Sequence, residues 1–148
     1  MKIIYPGSFN PWTNGHQDIH NRACKLFNAP VDVVIAVNPA KKIDIDFILW
    51  TLQPLSDRGI KVMATTDLVA TQADVIVRGV RSGDWEYEQN LAQWNKELGA
   101  ETVFLCPAPE FSHINSSAVR ELRKYGKPVG KYCPKDILER WLTIDNFV

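Results

Sequence analysis

A twelve-residue segment near the start of the chain combines residue types that bind phosphate. Residues 5–16 read YPGSFNPWTNGH and lie between a short apolar run and an amphipathic stretch. This pattern predicts a turn from a strand into a helix, where glycine lets a ligand approach the backbone and the first N–H groups of the helix are free to bind an anion. His16 falls in the first helical turn and can reach the same anion. The segment therefore indicates a nucleotide-phosphate site.

Three later segments carry similar chemistry. Residues 38–42, 78–81 and 112–117 each follow a predicted strand and contain lysine, arginine or serine. In an open α/β sheet, ligands bind outside the carboxyl ends of the strands. Several cations and hydroxyls gathered at one point suit a triphosphate. The residues that we expect to converge there are Ser8, His16, Lys41, Arg78, Arg81, Ser116 and Ser117.

The elements that must position these residues alternate along the chain. Apolar, β-branched runs predict buried strands, and apolar residues at helical spacing predict the helices between them. The predicted strands are 3–5, 31–37, 60–64, 75–77 and 102–106, and the predicted helices include 85–98, 116–125 and 134–142. A further helix between the first two strands would carry Ile19, Ala23, Leu26 and Phe27 on its apolar face. Residues 47–52 fit a short helix or a strand. We therefore predict one α/β domain, 1–148, with a doubly wound parallel sheet of five strands and helices on both faces.

Composition excludes several classes of partner. Lys+Arg 17 and Asp+Glu 17 cancel, so there is no basic excess to attract nucleic acid or an anionic membrane. The first apolar run is too short for a signal peptide, and no stretch approaches the length of a membrane span. Three widely spaced cysteines without a C-x-x-C pair favour reduced thiols in a cytoplasmic protein over disulfides or zinc.

Specific motifs add a resemblance to a known family. The first segment contains GSFNPWTNGH, which resembles the T/H-x-G-H signature of nucleotidylyltransferases. The later RGVRSGDWEYE with Asn95, and INSSAVR, resemble bacterial phosphopantetheine adenylyltransferases. The resemblance implies a Rossmann-like fold and magnesium-dependent transfer of AMP from ATP to 4′-phosphopantetheine, giving dephospho-CoA and pyrophosphate. It also implies a homo-oligomer, commonly a hexamer.

The resemblance further implies roles for individual residues. His16 would stabilise the transition state at the α-phosphate, Lys41 would bridge the acceptor and nucleotide phosphates, and Arg78 would hold the acceptor phosphate. Ser8 would contact both substrates, with Phe9 beside it. The other implied ATP contacts are Gly79, Val80, Arg81, Glu88, Phe111, Ser112, His113, Ile114, Asn115, Ser116 and Ser117. The pantetheine arm would lie along Val69 and Asn95. The catalytic set would be His16, Lys41 and Arg81, and no residue is assigned to a metal.

The residues leave alternatives open. Glu88 fits a solvated helix position as well as an ATP contact, and Ser116 and Ser117 are natural helix N-caps. Asn10 replaces the aspartate usual in the family, and the region between Lys41 and Arg78 is shorter. The acceptor could therefore be another phosphate, with nicotinamide mononucleotide the leading candidate. A third hypothesis is a nucleotide-binding regulator without catalysis, although binding alone would not need His16, Lys41 and Arg81 together.

Two other enzyme classes are unsupported. Residues 16–20 read HQDIH, which resembles the zinc motif H-E-x-x-H, but Gln17 stands where the glutamate base is needed. The chain also lacks the G-x-x-x-x-G-K-[ST] segment of a P-loop kinase. We therefore expect neither zinc hydrolysis nor P-loop phosphoryl transfer.

Overall fold

Five parallel strands form the centre of the protein in the order 3-2-1-4-5. The computed structural model describes residues 1–40 and 44–144. The strands are β1 (Ile3–Gly7), β2 (Asp32–Ala36), β3 (Val62–Thr65), β4 (Val75–Gly79) and β5 (Glu101–Leu105). The strand order reverses direction between β1 and β4, which is the point where a doubly wound sheet opens a crevice for a ligand. The predicted α/β sheet of five parallel strands is confirmed.

Helices connect the strands and follow the last one. They are α1 (Asn14–Phe27), α2 (Ile45–Thr51), α3 (Gln53–Asp57), α4 (Trp85–Glu97), α5 (Ser116–Lys124) and α6 (Lys135–Trp141). Two 3₁₀ turns, Val69–Thr71 and Pro109–Phe111, complete the connections. Residues 47–51 of the ambiguous stretch belong to α2, and Leu52 is its C-cap residue. The helix begins after the N-cap Asp44, whose carboxylate accepts from the Phe47 N–H. None of the helices within 1–40 and 44–144 is long and apolar enough to cross a bilayer.

Both faces of the sheet are covered. On one face, alternate strand residues form the larger core with side chains from α1, α2, α3 and α6, including Ile3, Tyr5, Val33, Ile35, Val77, Ile19, Ile48, Leu55 and Ile137. On the other face, Ile4, Val34 and Ile76 pack against Ala70 and Ala100. The three central strands are therefore buried on both sides, which explains their nearly continuous apolar sequence.

One apolar side chain of the predicted face of α1 lies at the surface instead, and so does a tryptophan of α4. Leu26 of α1 is 64% exposed, whereas Ile19 and Ala23 of the same helix are buried. Trp94 of α4 is 60% exposed. Helical spacing identifies apolar residues on the same face of a helix. It does not predict which of them are covered by the sheet and which lie beyond its edge. Asn95, the residue that follows Trp94 in α4, is buried although its side chain is polar.

Candidate active site

A cavity of about 230 Å³ lies at the carboxyl ends of β1 and β4. It is bounded by the N-terminus of α1 on one side and by the segment that follows β5 on the other. Its position matches the crevice expected where the strand order reverses. The lining residues are Tyr5, Pro6, Phe9, Gly15, His16, Ile19, Arg78, Gly79, Arg81, Asp84, Glu88, Pro107 and Phe111.

The turn from β1 into α1 is held in place by a buried aromatic side chain. Phe9 has a φ of 51°, in the left-handed region, and its side chain is 2% exposed. The Phe9 ring folds back over Gly7, where an added Cβ would come within 2.8 Å of two ring carbons. Glycine is therefore required at Gly7 by the close approach of the ring. Ser8 is exposed on this turn and lies outside the cavity lining.

His16 also forms part of the cap of α1. Thr13 is the N-cap residue, and its hydroxyl accepts from the His16 N–H at 3.3 Å. In return, the backbone N–H of Thr13 donates to Nδ1 of His16 at 2.9 Å. This is the reciprocal pattern of a capping box, with histidine in the place usually taken by Glu or Gln. Because Nδ1 accepts from a backbone amide, the neutral ring must carry its proton on Nε2.

The surroundings of the imidazole keep it neutral. The rings of Tyr5, Phe9 and Trp12 surround it, with centroids 6.4, 5.1 and 5.5 Å from the imidazole centroid. Burial, reinforced by the positive charge of Arg81, lowers the pKa of His16 to about 3. Nε2 has no hydrogen-bond partner within the part of the chain that the structure describes. His16 therefore offers the cavity one neutral N–H donor.

Arg78 occupies the opposite wall and is paired with a buried carboxylate. Its Nε and Nη2 donate to the two oxygens of Glu88 at 2.9 and 2.6 Å. The Glu88 side chain is 8% exposed and the Arg78 side chain 28% exposed. Burial by itself lowers the pKa of Arg78, but the hydrogen bonds and charge of Glu88 outweigh that effect and raise it. Glu88 is therefore not a solvated helix residue; it fixes the orientation of Arg78.

Arg81 is anchored by the segment that follows β5. Its Nη2 donates to the backbone carbonyl of Ile114, a residue that is 6% exposed. The same segment places Phe111 against the start of α1, where an added Cβ on Gly15 would meet it at 3.8 Å. The guanidinium of Arg81 thus joins the loop after β4 to the segment before α5 across the cavity.

The predicted serine and amide residues near α5 have specific local roles. Asn115, not either serine, is the N-cap of α5, because its side-chain oxygen accepts from the Ala118 N–H at 2.7 Å. Ser116 donates to the carbonyl of Pro11 at 2.7 Å and so ties α5 to the first turn. Ser117 accepts from Arg120 at 3.1 Å. The prediction that the serines cap the helix is therefore wrong.

Several other predicted site residues do not line the cavity. Val80 donates its N–H to Leu105 and stands one residue past the lining residue Gly79. Ser112 and His113 are exposed and do not line the cavity. The structure therefore brings together Phe9, His16, Arg78, Gly79, Arg81, Glu88 and Phe111.

The two residues expected along a pantetheine arm are placed elsewhere. Val69 packs against the second core cluster, on the sheet face away from α1. Asn95 is buried and donates to the hydroxyl of Thr102 at 3.2 Å. Neither residue lines the cavity. Lys41 lies outside the described residues, so its assignment stays a prediction.

Two residues singled out by their sequence context have structural roles. Nε2 of His20, the second histidine of the zinc-like segment, lies 2.8 Å from the carbonyl of Val31 and is occupied by that hydrogen bond. The side-chain oxygen of Asn10 accepts from Nε1 of Trp141 at 2.8 Å, and its backbone carbonyl accepts from Arg120. Asn10 therefore joins the first turn to the end of α6.

Sequence reasoning missed several lining residues, of which Tyr5 and Asp84 carry polar groups. Tyr5 begins the first phosphate-binding segment and Asp84 lies within the RGVRSGDWEYE motif, but neither is among the predicted site residues. A usable signal exists for both. Tyr5 is the last large side chain before the first turn, and Asp84 lies in the loop after β4, so both belong to the strand ends where α/β proteins bind ligands.

Comparison with known proteins agrees with this architecture. Residues 4–122 match the model of the family described as cytidylyltransferase-like. A phosphopantetheine adenylyltransferase from Parasynechococcus marenigrum (strain WH8102) is 39% identical, over 93% of this chain and 91% of its own. One from Sodalis glossinidius (strain morsitans) is 38% identical, over 92% of each chain.

A solved structure shares the fold at much lower sequence identity. It is described as a nicotinate-nucleotide adenylyltransferase from Vibrio parahaemolyticus and superposes with a TM-score of 0.65 at 16% identity, over 97% of this chain and 93% of its own. This likeness shows a Rossmann-like fold. The family match and the curated relatives go further: the chain belongs to the cytidylyltransferase-like family and, within it, to the phosphopantetheine adenylyltransferases.

Proposed function

We propose that this protein transfers AMP from ATP to 4′-phosphopantetheine, giving dephospho-CoA and pyrophosphate. Two relatives bearing that activity in their names are 38–39% identical over almost the whole chain. The observation that carries the proposal is the convergence of one neutral imidazole N–H and two anchored guanidinium groups on one cavity at the strand ends. This arrangement suits two phosphate groups brought together for reaction.

The reaction needs little covalent help from the protein. A phosphate oxygen of the acceptor attacks the α-phosphorus of ATP, the new P–O bond forms, and the bond to the bridging oxygen breaks so that pyrophosphate leaves. Phosphoryl-type transfer depends mainly on positioning and on stabilising charge. His16 donates from Nε2 to an α-phosphate oxygen, and Arg78 holds the acceptor phosphate. Arg81 faces the nucleotide phosphates, and Lys41 is assigned to bridge the two substrates.

Magnesium fits this site as an ion carried by the nucleotide. Mg²⁺ is usually held by substrate phosphates, water and one or two carboxylates. The described residues contain no cluster of three metal ligands. Asp84 lines the cavity with an exposed carboxylate, whereas the carboxylate of Glu88 is occupied by Arg78. Asp84 would therefore contact the ion or its water, and the ion would supply charge neutralisation on the phosphates.

The alternative acceptor, nicotinamide mononucleotide, loses part of its support. Part of its support is Asn10, which stands where the family usually has an aspartate. Asn10 uses both its side-chain and its backbone oxygen to bind Trp141 and Arg120, which supports a role for this position in the packing of α6. The shortened region between Lys41 and Arg78 still leaves the alternative to be tested.

We also propose that the protein assembles as a homo-oligomer, as a hexamer if it follows its family, in the cytoplasm. Tyr87 and Trp94 of α4 and its C-cap residue Leu98 expose 68%, 60% and 41% of their surface. Residues 87, 94 and 98 recur at helical spacing, so they form one apolar stripe, the α4 stripe, that a second copy can cover. The location is supported by the three cysteines, all of which are free.

The test is pyrophosphate release from ATP, measured in parallel with 4′-phosphopantetheine and with nicotinamide mononucleotide. The proposal predicts turnover with phosphopantetheine and formation of dephospho-CoA. Turnover only with nicotinamide mononucleotide would support the alternative acceptor. ATP binding without turnover on either acceptor would support the non-catalytic regulator.

A further inference from the structure

Tyr5 is a buried side chain at the floor of the cavity. It is the third residue of β1, it is 5% exposed, and it lines the cavity beside Arg78 and Arg81. Its ring packs edge-on against Phe9 and Trp12, with centroids 5.4 and 5.9 Å away. These contacts hold the aromatic ring in one position, so the direction of its hydroxyl is fixed as well.

The hydroxyl of Tyr5 lacks a protein partner. The Tyr5 hydroxyl forms no hydrogen bond within residues 1–40 and 44–144. Every fully enclosed side-chain oxygen in that part of the chain has a hydrogen-bond partner, so the Tyr5 oxygen is not fully enclosed. The phenol oxygen therefore remains open to the cavity. A tyrosine hydroxyl that is otherwise buried usually finds a partner. The missing partner is thus expected to enter the cavity from outside.

The charges around Tyr5 favour an anion as that partner. The positive charges of Arg78 and Arg81 both act on its hydroxyl. Arg78 donates to Glu88 and Arg81 donates to the carbonyl of Ile114, and neither guanidinium donates to the Tyr5 hydroxyl. Burial raises the pKa of Tyr5 more than the two arginines lower it, so the hydroxyl keeps its proton and acts as a donor.

We propose that the Tyr5 hydroxyl is a further substrate-binding group, which donates a hydrogen bond to a phosphate oxygen in the cavity that Arg78 and Arg81 also line. This inference rests on the proposed function for the identity of the substrates. The phosphate can belong to the nucleotide or to the acceptor, and the chemistry of recognition is the same for both. A neutral donor beside two cations in one cavity adds a directional hydrogen bond, whereas the positive charges alone would not fix the rotation of a phosphate group.

The test is the variant Tyr5→Phe, which removes the hydroxyl and keeps the ring that packs against Phe9 and Trp12. We expect kcat/KM to fall by about tenfold to a hundredfold, the usual effect of removing a hydrogen bond to a charged group. The melting temperature should stay unchanged. The substrate whose KM rises identifies the phosphate that is bound. Tyr125→Phe is the matched control, because Tyr125 is 67% exposed and lies outside the cavity lining.

A binding measurement separates this inference from the proposed function. Inorganic phosphate and inorganic pyrophosphate are titrated into the wild-type protein and into Tyr5→Phe by calorimetry. Weaker binding of either anion to the variant, by about tenfold, supports the role of Tyr5 even if no acceptor turns over. Unchanged binding of both anions together with unchanged kcat/KM would overturn the inference while leaving the adenylyltransferase proposal intact.

Discussion

Glu88 of α4 and Arg78 of β4 form a two-pronged ion pair, with Nε to Oε2 at 2.9 Å and Nη2 to Oε1 at 2.6 Å. The pair links the helix to the strand on one wall of the cavity. A planar guanidinium bound through two nitrogens has a fixed orientation. Glu88 is therefore a positioning residue that acts through Arg78.

Replacement of Glu88 should weaken acceptor binding and stability together. In Glu88→Gln, Arg78 loses its charged anchor, so we expect the acceptor KM to rise about tenfold, with a smaller change in kcat. We expect the free energy of unfolding to fall by about 1–3 kcal/mol, less than for a fully buried pair because Arg78 is partly solvated. Steady-state kinetics and urea unfolding measure the two effects. Glu86→Gln, at an exposed position of the same helical turn, is the control, and equal behaviour of the two variants would contradict the positioning role.

His16 caps α1 and is proposed to act in catalysis, and two variants separate these two roles. His16→Gln keeps a side chain that can complete the capping box, whereas His16→Ala removes it. Both variants lose the Nε2 donor, so both should lose on the order of 10² or more in kcat. Only His16→Ala should also lose about 1 kcal/mol of stability. Near-normal turnover in His16→Gln would remove the imidazole from the mechanism.

The depressed pKa of His16 predicts a dependence of stability on pH. Its pKa is about 3 in the folded protein and 6.5 in the unfolded chain, so the unfolded chain binds the extra proton between these values. Stability should therefore be complete above pH 6.5 and fall as the pH decreases, by about 2 kcal/mol at pH 5 from this group. His20 acts in the same direction, because burial lowers its pKa as well. Urea unfolding at pH 7 and pH 5 should show a smaller decrease in His16→Gln than in wild type; equal decreases would contradict the assignment.

The contact of Phe9 with Gly7 predicts a sharp steric effect. A Cβ at Gly7 would lie 2.8 Å from two carbons of a buried, rigid ring, so Gly7→Ala must displace Phe9. We expect a loss of about 1–3 kcal/mol in unfolding free energy together with reduced activity. Gly130→Ala is the control, because nothing lies within 4 Å of its added Cβ. Equal melting temperatures for the two variants would show that the turn can adjust.

The α4 stripe predicts the assembly state. Trp94→Glu places a charge in the middle of this stripe and should lower the mass measured by light scattering. Leu26→Glu, at an isolated exposed leucine of α1, should leave the mass unchanged. A monomeric wild-type protein would contradict the proposed assembly.

The fold could be predicted from the sequence because the spacing of apolar residues and the composition of each segment were enough to identify its strands and most of its helices. The nearly continuous apolar, β-branched run at 31–37, interrupted only by Asp32, favours a strand buried on both faces, and β2 is one. The strand ends then brought Arg78, Arg81 and His16 to a common edge. The conformation of residues 47–52 could not be decided from the sequence, since a short apolar run fits either a helix or a strand.

Side-chain pairing was not predictable in the same way. Glu88 could have faced solvent or Arg78, and only the packing of α4 on the sheet decides between them. Asn115 and Ser116 are both good N-caps by residue type, and the backbone conformation selects Asn115. Tyr5 could not be predicted as a cavity residue, because an aromatic residue in an apolar strand normally belongs to the core.

The central claim is that His16, Arg78 and Arg81 face one reacting pair of phosphate groups. A crystal structure with Mg²⁺ and a non-hydrolysable ATP analogue, with phosphopantetheine soaked in, tests it most directly. We expect phosphate oxygens within hydrogen-bonding distance of Nε2 of His16 and of both guanidinium groups. A phosphate chain bound elsewhere, with these three side chains facing solvent, would contradict the account.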